Sequence, residues 1–554
     1  MKKSLAYNET DYYDDFRQFL HGIARKYGDR PAVTLYTRKG VRVDHSYTDL
    51  ERDALSFGTA LLKNGFGGQH IAIVSENCYE WMVCYFGASS AGCVAVCVDI
   101  EQPEDKIVEM LETSDAVAAV ASRSLLPICL KAQSALPRLR TVLSMYPDTE
   151  KCPTLADFCA EGRAALEGGD TTLEDTPLSP QQTASLVYTS GTAGRSKAVM
   201  LSHRGILHNS SDSLALITVS PHRSFAVLPL YHAYGVTGSV LSSLIAGINV
   251  CLNGDLKTMI RDMELFKPET LIAVPLIAES IHKFVWASIE KSGKRQQVCA
   301  LMKLGRLLGD PGLFVRPIMA KKFQGTCLES LNLIMCGGAY LAEKVAEELQ
   351  AFGILVLLGY GITECSPLVS VNRTCSYDFK SVGWVLPSCK VKIQDDEILV
   401  SGSTLMNGYY NRPELTAQSM QGDWFKTGDL GYLDCSGRLY ITGRIKNLIV
   451  MKNGKKVSPE EIENKLAALP LVKEVVAYGA TSGSSTDDVK IAVMVYPDPD
   501  QTQNLSSYEI LEQLQAQVDA INRDLPIYKQ IQNINLRATE FEKTAARKVK
   551  RTAI

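Results

Sequence analysis

The nine residues from Thr189 to Lys197 read TSGTAGRSK and follow the apolar run Leu186 to Tyr188. Gly191 and Gly194 let the backbone approach an anion closely and adopt conformations closed to other residues. Thr189, Ser190, Thr192 and the loop amides supply donors, and Lys197 supplies charge. Together these are the requirements for holding a polyphosphate. The lysine is not adjacent to the second glycine, so the stretch departs from GxxxxGK[ST] and excludes a P-loop NTPase.

Further stretches with chemical content follow in order. CGGAYL (Cys336 to Leu341) and GYGITE (Gly359 to Glu364) each come after an apolar run, where α/β proteins bind their ligands. WFKTGDLGYLD carries Asp429, and GRIKNLIVMKNGKK carries Arg444, Lys446 and Lys452. EKTAARKVKR, near the C-terminus, carries Lys548. Each alone is an ordinary turn or a solvated basic run, but their ordered succession from residue 189 to residue 548 is not a chance pattern.

The elements that must position these residues alternate. HIAIV, the apolar stretch after Cys78 and CVAVCVDI read strand, helix, strand, and EDKIVEMLETSDAVAAVAS repeats helix then strand. The alternation predicts an α/β domain with a mostly parallel sheet. Near residue 390 short strands joined by Asp, Ser and Gly turns predict a small antiparallel unit. Beyond Lys446, SPEEIENKLAAL predicts a helix capped by Ser458, with Pro459 in the first turn and Glu461 closing a capping box. Two strands and a helix from Ser507 to about Asp524 follow, so a second domain is expected with its boundary between Gly443 and Asn447.

These motifs resemble the acyl-adenylate-forming superfamily of acyl-CoA synthetases, peptide-synthetase adenylation domains and luciferases. LPLYHAYGV, AVPLIAESIHKF, GYGITECSP and NGKKVSPEEIE are most similar to its fatty-acyl-CoA synthetase branch. The resemblance implies an α/β fold: a large N-terminal domain (1–445) of sheets flanked by helices plus a small β-barrel, then a mobile α+β C-terminal domain (446–554). It implies ATP-dependent activation of a carboxylic acid, foremost a fatty acid, to acyl-AMP. Transfer to coenzyme A follows, or in the alternative to an acyl carrier protein; an aryl acid is a further alternative. A nucleotide-binding regulator without catalysis is the alternative from another class.

By the same resemblance, Thr189, Ser190, Gly191, Thr192, Gly194 and Lys197 hold the β- and γ-phosphates of ATP. Tyr360 and Gly361 meet the adenine, with Gly338 and Ala339 beside it. Thr363 holds the α-phosphate, Glu364 ligates Mg²⁺, Asp429 takes the ribose hydroxyls and Arg444 the ribose or phosphate. His232 and Gly337 line the acyl site, and Lys452 the thiol side. Lys446 is the hinge. Lys548 bridges carboxylate and α-phosphate, with Lys543 and Lys550 as alternatives of register. The chain departs from the family pattern at Arg547 and Ala198, where glycine is usual, and at Glu542, where proline is common.

The whole sequence constrains the partners. Its net charge of -3 gives no general affinity for nucleic acid or an anionic surface. The fifteen cysteines show no CxxC pair or zinc-ligand spacing, which suits buried thiols in a reducing cytoplasm. The N-terminus lacks the apolar run of a signal peptide. Tyr234 to Gly254 is long enough to span a bilayer, but its Ser, Gly and β-branched content predicts buried strand and helix. From Lys291 to Lys322 there are eight Lys or Arg and one acid, Asp310, with Val298, Leu301, Met302 and Leu308 forming a loose stripe. That segment is either a solvated helix or a peripheral membrane contact.

Overall fold

The computed structural model describes residues 7–37, 39–147, 151–189, 196–218, 221–451, 455–467, 469–481, 489–542 and 551. The chain divides into two compact units. The first comprises Met1–Gly338, Glu348–Val391 and Val400–Phe425, and the second Ala339–Glu347, Lys392–Leu399 and Lys426–Ile554.

Within the first unit, one seven-stranded sheet has the order Gly408–Tyr409, Lys197–Ser202, Thr183–Thr189, Val94–Cys97, His70–Val74, Ala118–Ala121, Thr141–Ser144. Its centre is parallel, and the strands Thr183–Thr189 and Lys197–Ser202 pair antiparallel. Val94–Cys97 and Ala118–Ala121 are buried along their whole length. That is why they read as unbroken apolar runs rather than alternating ones.

A second run of strands begins at Gly383–Val385 and passes through Leu368–Val371, Leu355–Gly361, Leu333–Cys336, Thr270–Ala273, Arg223–Ala226, Asn249–Leu252 and Pro31–Tyr36 to Arg42–Ser46. The helix Tyr79–Ser90 is buried at every residue but Glu80, because it is apolar all round. Its Trp81, Tyr85 and Phe86 join Ile71 and Val187 of one sheet and Val33 and Val250 of the other in a single core.

From Lys426 onward the second unit carries the hairpin formed by the strands Trp424–Leu433 and Arg438–Arg444, turned by Asp434, whose Oδ1 accepts from the amides of Ser436 and Arg438. Beyond it lie the strands Val472–Thr481, Val489–Pro497 and Ile531–Leu536, antiparallel then parallel. Ile462 and Leu466 of the helix Pro459–Ala467, and Leu514 and Val518 of Ser507–Arg523, close over Val493 and Ile491. At the start of the first of these helices the Ser458 hydroxyl donates to Glu460 at 2.7 Å, while Glu461 holds Lys529 at 2.6 Å.

The stripe expected on the basic segment is split. Val298 and Met302 of the helix Arg295–Leu307 are buried, whereas Leu308 stands out in solvent. Among the described residues no helix is long and apolar enough to cross a membrane.

Candidate active site

The strand Thr183–Thr189 leaves its sheet at the tip and returns as Lys197–Ser202, with Thr189 and Lys197 opposite each other in register. Ser190, Gly191, Thr192 and Gly194 lie outside the described residues. The Lys197 ammonium sits 4.9 Å from the centre of the Tyr409 ring, a cation–π distance. Tyr409 is fixed there because Gly408–Tyr409 pairs antiparallel with Val199 and Met200. Its hydroxyl donates to Glu364 Oε1 at 2.7 Å. Burial first, and then the charge of Glu364, push the phenol well above its ordinary range, so it stays a donor. Tyr409 was not among the sequence-derived candidates. Only a tyrosine after a turn glycine could have pointed to it.

Glu364 and Thr363 occupy a 3₁₀ turn, Thr363–Cys365, directly after the strand Leu355–Gly361. That turn is tied from several sides. The Ile362 amide donates to Pro367, the Ser366 amide to Thr363, and the Met406 amide to the Glu364 carbonyl. Buried Asn209 donates to the carbonyls of Cys365 and Leu368 and accepts from the Leu368 amide, a clamp the sequence did not advertise. Tyr360, buried, and Gly361 pair with Ser370 and Leu368. A Cβ on Gly361 would run into the Pro367 carbonyl.

The strand Leu333–Cys336 ends in Gly337 and Gly338, and Gly338 has φ +88°, a conformation suited to glycine. A Cβ on Gly337 would lie 3.3 Å from the Tyr234 hydroxyl and 3.4 Å from the Gly359 carbonyl, so only glycine fits without displacement. Tyr234 donates to the Met335 carbonyl at 3.2 Å and opens a π-helical stretch, Tyr234–Leu241. Its wide turn, of a kind found at functional sites, borders an apolar cavity of about 40 Å³ lined by Tyr234, Gly238, Ser242, Ile272, Met335 and Leu357. His232 lies in the turn just before, its amide bonded to Pro229. Burial drives its imidazole below the ordinary range, partly opposed by the Asp99 carboxylate.

In the second unit, Asp429 is 2% exposed and accepts from Arg444 Nε at 2.7 Å. The pairing follows from strand register, which sets Asp429 opposite Arg444. The Asp429 amide donates to Thr427 Oγ1, and that hydroxyl donates in turn to the Ile398 carbonyl. Lys446, exposed, stands in the 3₁₀ turn Ile445–Asn447 that follows Arg444. Ala339 also belongs to this unit. Lys452, Lys543, Lys548 and Lys550 lie outside the described residues. Arg551, just beyond, pairs with Glu463 at 2.5 Å and donates to the Ala477 carbonyl.

Within the first unit, therefore, Lys197 and Glu364 are brought together through Tyr409, and Gly337 meets Tyr234. Among the described residues no three His, Cys, Asp or Glu side chains form a metal cage.

The model for the family described as AMP-binding enzyme matches residues 20–410, and that for the AMP-binding enzyme C-terminal domain matches residues 446–554. The chain is 27% identical over 472 residues to the long-chain-fatty-acid–CoA ligase FadD15 of Mycobacterium bovis, across 81% of this chain and 78% of the relative. It is 29% identical over 536 residues to a long-chain-fatty-acid–CoA ligase of Escherichia coli O157:H7, across 90% of this chain and 88% of the relative. The crystal structure of the anthranilate CoA ligase AuaEII with anthranoyl-AMP superposes with a TM-score of 0.78 at 21% identity, covering 98% of this chain and 96% of that one. That likeness establishes the fold, a large N-terminal domain of sheets and helices followed by a separate small C-terminal domain.

Proposed function

This chain belongs to the family of AMP-binding enzymes, and from that premise we propose that it is an AMP-forming acyl-CoA synthetase acting on a fatty acid. A carboxylate oxygen of the acid attacks the α-phosphorus of ATP, pyrophosphate leaves, and acyl-AMP forms. The thiol of coenzyme A then attacks the acyl carbon and AMP leaves.

The observation that carries the reading is the Lys197–Tyr409–Glu364 arrangement at the foot of the Thr189-to-Lys197 loop. It sets a cation and an oriented carboxylate at the described end of a segment whose sequence is rich in small donors, which suits a polyphosphate better than any uncharged ligand. Residues 189–197 hold the β- and γ-phosphates, and Thr363 the α-phosphate. Tyr360 and Gly361, with Gly338 and Ala339, receive the adenine. Asp429, held by Arg444, accepts from the ribose hydroxyls. Glu364 would hold Mg²⁺, which when bound neutralises charge on the phosphates. The apolar lining of the cavity that Tyr234 borders favours an alkyl over a charged substituent on the acid, and His232 and Gly337 are assigned to the acyl site. Lys452 serves the thiol side, and Lys446 is the proposed hinge for the C-terminal domain, residues 446–554. All fifteen cysteines are free thiols, which supports a reducing, cytoplasmic setting.

Lys548 is assigned the bridging cation between carboxylate and α-phosphate, two groups that repel each other until one stands between them. Lys548→Ala should slow acid-dependent ATP–pyrophosphate exchange by roughly 10²–10³-fold. It should leave thioester formation from supplied acyl-AMP close to the parent rate. Exchange that ignores every fatty acid in a panel of chain lengths would sink the reading, and equal loss of both half-reactions would sink the lysine's role.

A further inference from the structure

The apolar cavity beside Tyr234 runs along one face of the sheet, and strand register fixes which residues lie at each end. Thr270 and Ile272 line it together because alternate side chains share a face, and Leu357 and Gly359 do so for the same reason. Thr270 stands opposite Ser224 on one side and Leu333 on the other, and Leu333 stands opposite Leu355. Gly359, close before the turn that carries Thr363 and Glu364, lies four residues beyond Leu355 on its strand. The row of Ser224 and Thr270 is therefore about 13 Å further from that turn. The facing wall runs the same way. After the strand Arg223–Ala226 the chain passes Tyr234, Gly238 and Ser242, then re-enters the sheet at Asn249, beside Arg223. Ser213 is in the last turn of the helix His203–Leu216, which leads into that same strand. Tyr234 thus marks the end near the turn, and Ser213, Ser224, Ser242 and Thr270 mark the far end.

The far end is buried and carries hydroxyls, whereas Ile272, Met335 and Leu357 make the wall between apolar. Each hydroxyl has one hydrogen to give. Ser213 Oγ reaches the Ser210 carbonyl at 2.7 Å, Ser242 Oγ reaches the Thr237 carbonyl at 3.0 Å, and the two oxygens lie 3.2 Å apart. Two hydrogens cannot fill three contacts, which leaves an oxygen there open to a further donor. The Ser224 hydroxyl is 2% exposed as a residue, lines the cavity, and has no hydrogen-bond partner among the described residues. A buried hydroxyl left in that state costs stability that an alanine would not.

We propose that the preferred acid is a fatty acid bearing a hydroxyl group at or near the far end of its chain. Ser224 donates to that hydroxyl, and the open oxygen at Ser213 and Ser242 can accept its hydrogen, while the methylenes lie along the apolar wall. A plain methyl terminus would leave Ser224 unpaired. A second carboxylate would find no Lys or Arg among the described residues that line the cavity. This substrate class presupposes that the cavity is the acyl site of the proposed reaction.

The test is acid-dependent ATP–pyrophosphate exchange by the full chain with saturated straight-chain acids of about eight to fourteen carbons, which bracket that depth. Each acid is paired with its ω-hydroxy counterpart. The hydroxy acid should have the higher kcat/KM in at least one pair. Ser224→Ala should lower the ratio of hydroxy to plain acid in that pair about tenfold. Because it deletes an unpartnered hydroxyl, its denaturant midpoint should equal or exceed the parent's. Should the variant fail to fold, the parent's ratios decide. Plain acids preferred in every pair, or a ratio that Ser224→Ala leaves unchanged, would overturn the proposal and leave the acyl-CoA synthetase reading standing. Exchange with neither kind of acid would overturn that reading and this proposal with it.

Discussion

Tyr409 illustrates what one side chain contributes when it joins two charges that the sequence keeps far apart. Its ring faces the Lys197 ammonium and its hydroxyl holds Glu364 Oε1. Tyr409→Phe keeps the ring and removes one hydrogen bond to a carboxylate. Such a bond contributes about 1.5–3 kcal/mol, and Glu364 is only half-buried, so water replaces part of it. Acid-dependent ATP–pyrophosphate exchange should fall about tenfold at limiting Mg²⁺ and recover partly when Mg²⁺ is raised. An unchanged Mg²⁺ dependence would show that Tyr409 does not orient the carboxylate. The types of Lys197 and Glu364 were legible in the sequence because a lysine after a glycine-rich loop and an acid after a strand are local signals. Their connector was not legible, since forty-five residues separate Tyr409 from Glu364 and no spacing rule spans a strand crossing. The Asp429–Arg444 pair was legible as two residues but not as partners, because strand register makes the pairing.

At the scale of elements, buried parallel strands were the easiest features to read. Val94–Cys97 and Ala118–Ala121 are apolar on both faces, so composition alone marks them. The segment after His232 could be read as buried but not as π-helical. An extra residue per turn is set by what the helix packs against, not by propensity. The apolar stripe expected on the basic helix Arg295–Leu307 is split for a similar reason, since periodicity finds such a stripe without saying which residues meet the core. Gly235 is where the π-helical stretch can be tested. A Cβ there would run into the Pro229 carbonyl, a fixed backbone atom. Gly235→Ala should therefore cost about 1–3 kcal/mol of stability, read as a lower denaturant midpoint. It should also raise KM for the acid, because Tyr234 is the next residue and borders the apolar cavity. A variant with an unchanged midpoint would mean that the Pro229 turn yields freely.

Across the whole molecule, stability against acid turns on histidines that folding keeps neutral. His203 begins the helix His203–Leu216, is fully buried, and lies against Phe16 with ring centres 5.6 Å apart. Its Nδ1 accepts from the Phe16 amide at 3.5 Å. Burial, with the Arg17 guanidinium adding to it, pushes the imidazole down to about 4, and a cation at a helix N-terminus is further disfavoured by the backbone dipole. In the unfolded chain the same group titrates near 6.5. Between those two values the unfolded chain binds a proton that the folded chain refuses, so stability is full above about pH 6.5 and falls as pH drops towards 4. Below that it levels off, with a total loss of about 3 kcal/mol from this group. His45, His208 and His232 are also shifted down by burial and act in the same sense. His21, raised first by its bond to Glu51, acts in the opposite sense but is a third exposed, so solvent screens it. Carboxylates such as Asp14, lowered by Arg204, titrate below this window and blur only its acid end. Denaturant midpoints measured from pH 7 down to about 4.5 should decline steadily for the parent chain. His203→Asn keeps an acceptor near the Nδ1 position and cannot be protonated, so its midpoint should decline distinctly less over the same range. An identical slope in the two chains would assign the acid sensitivity to groups other than His203.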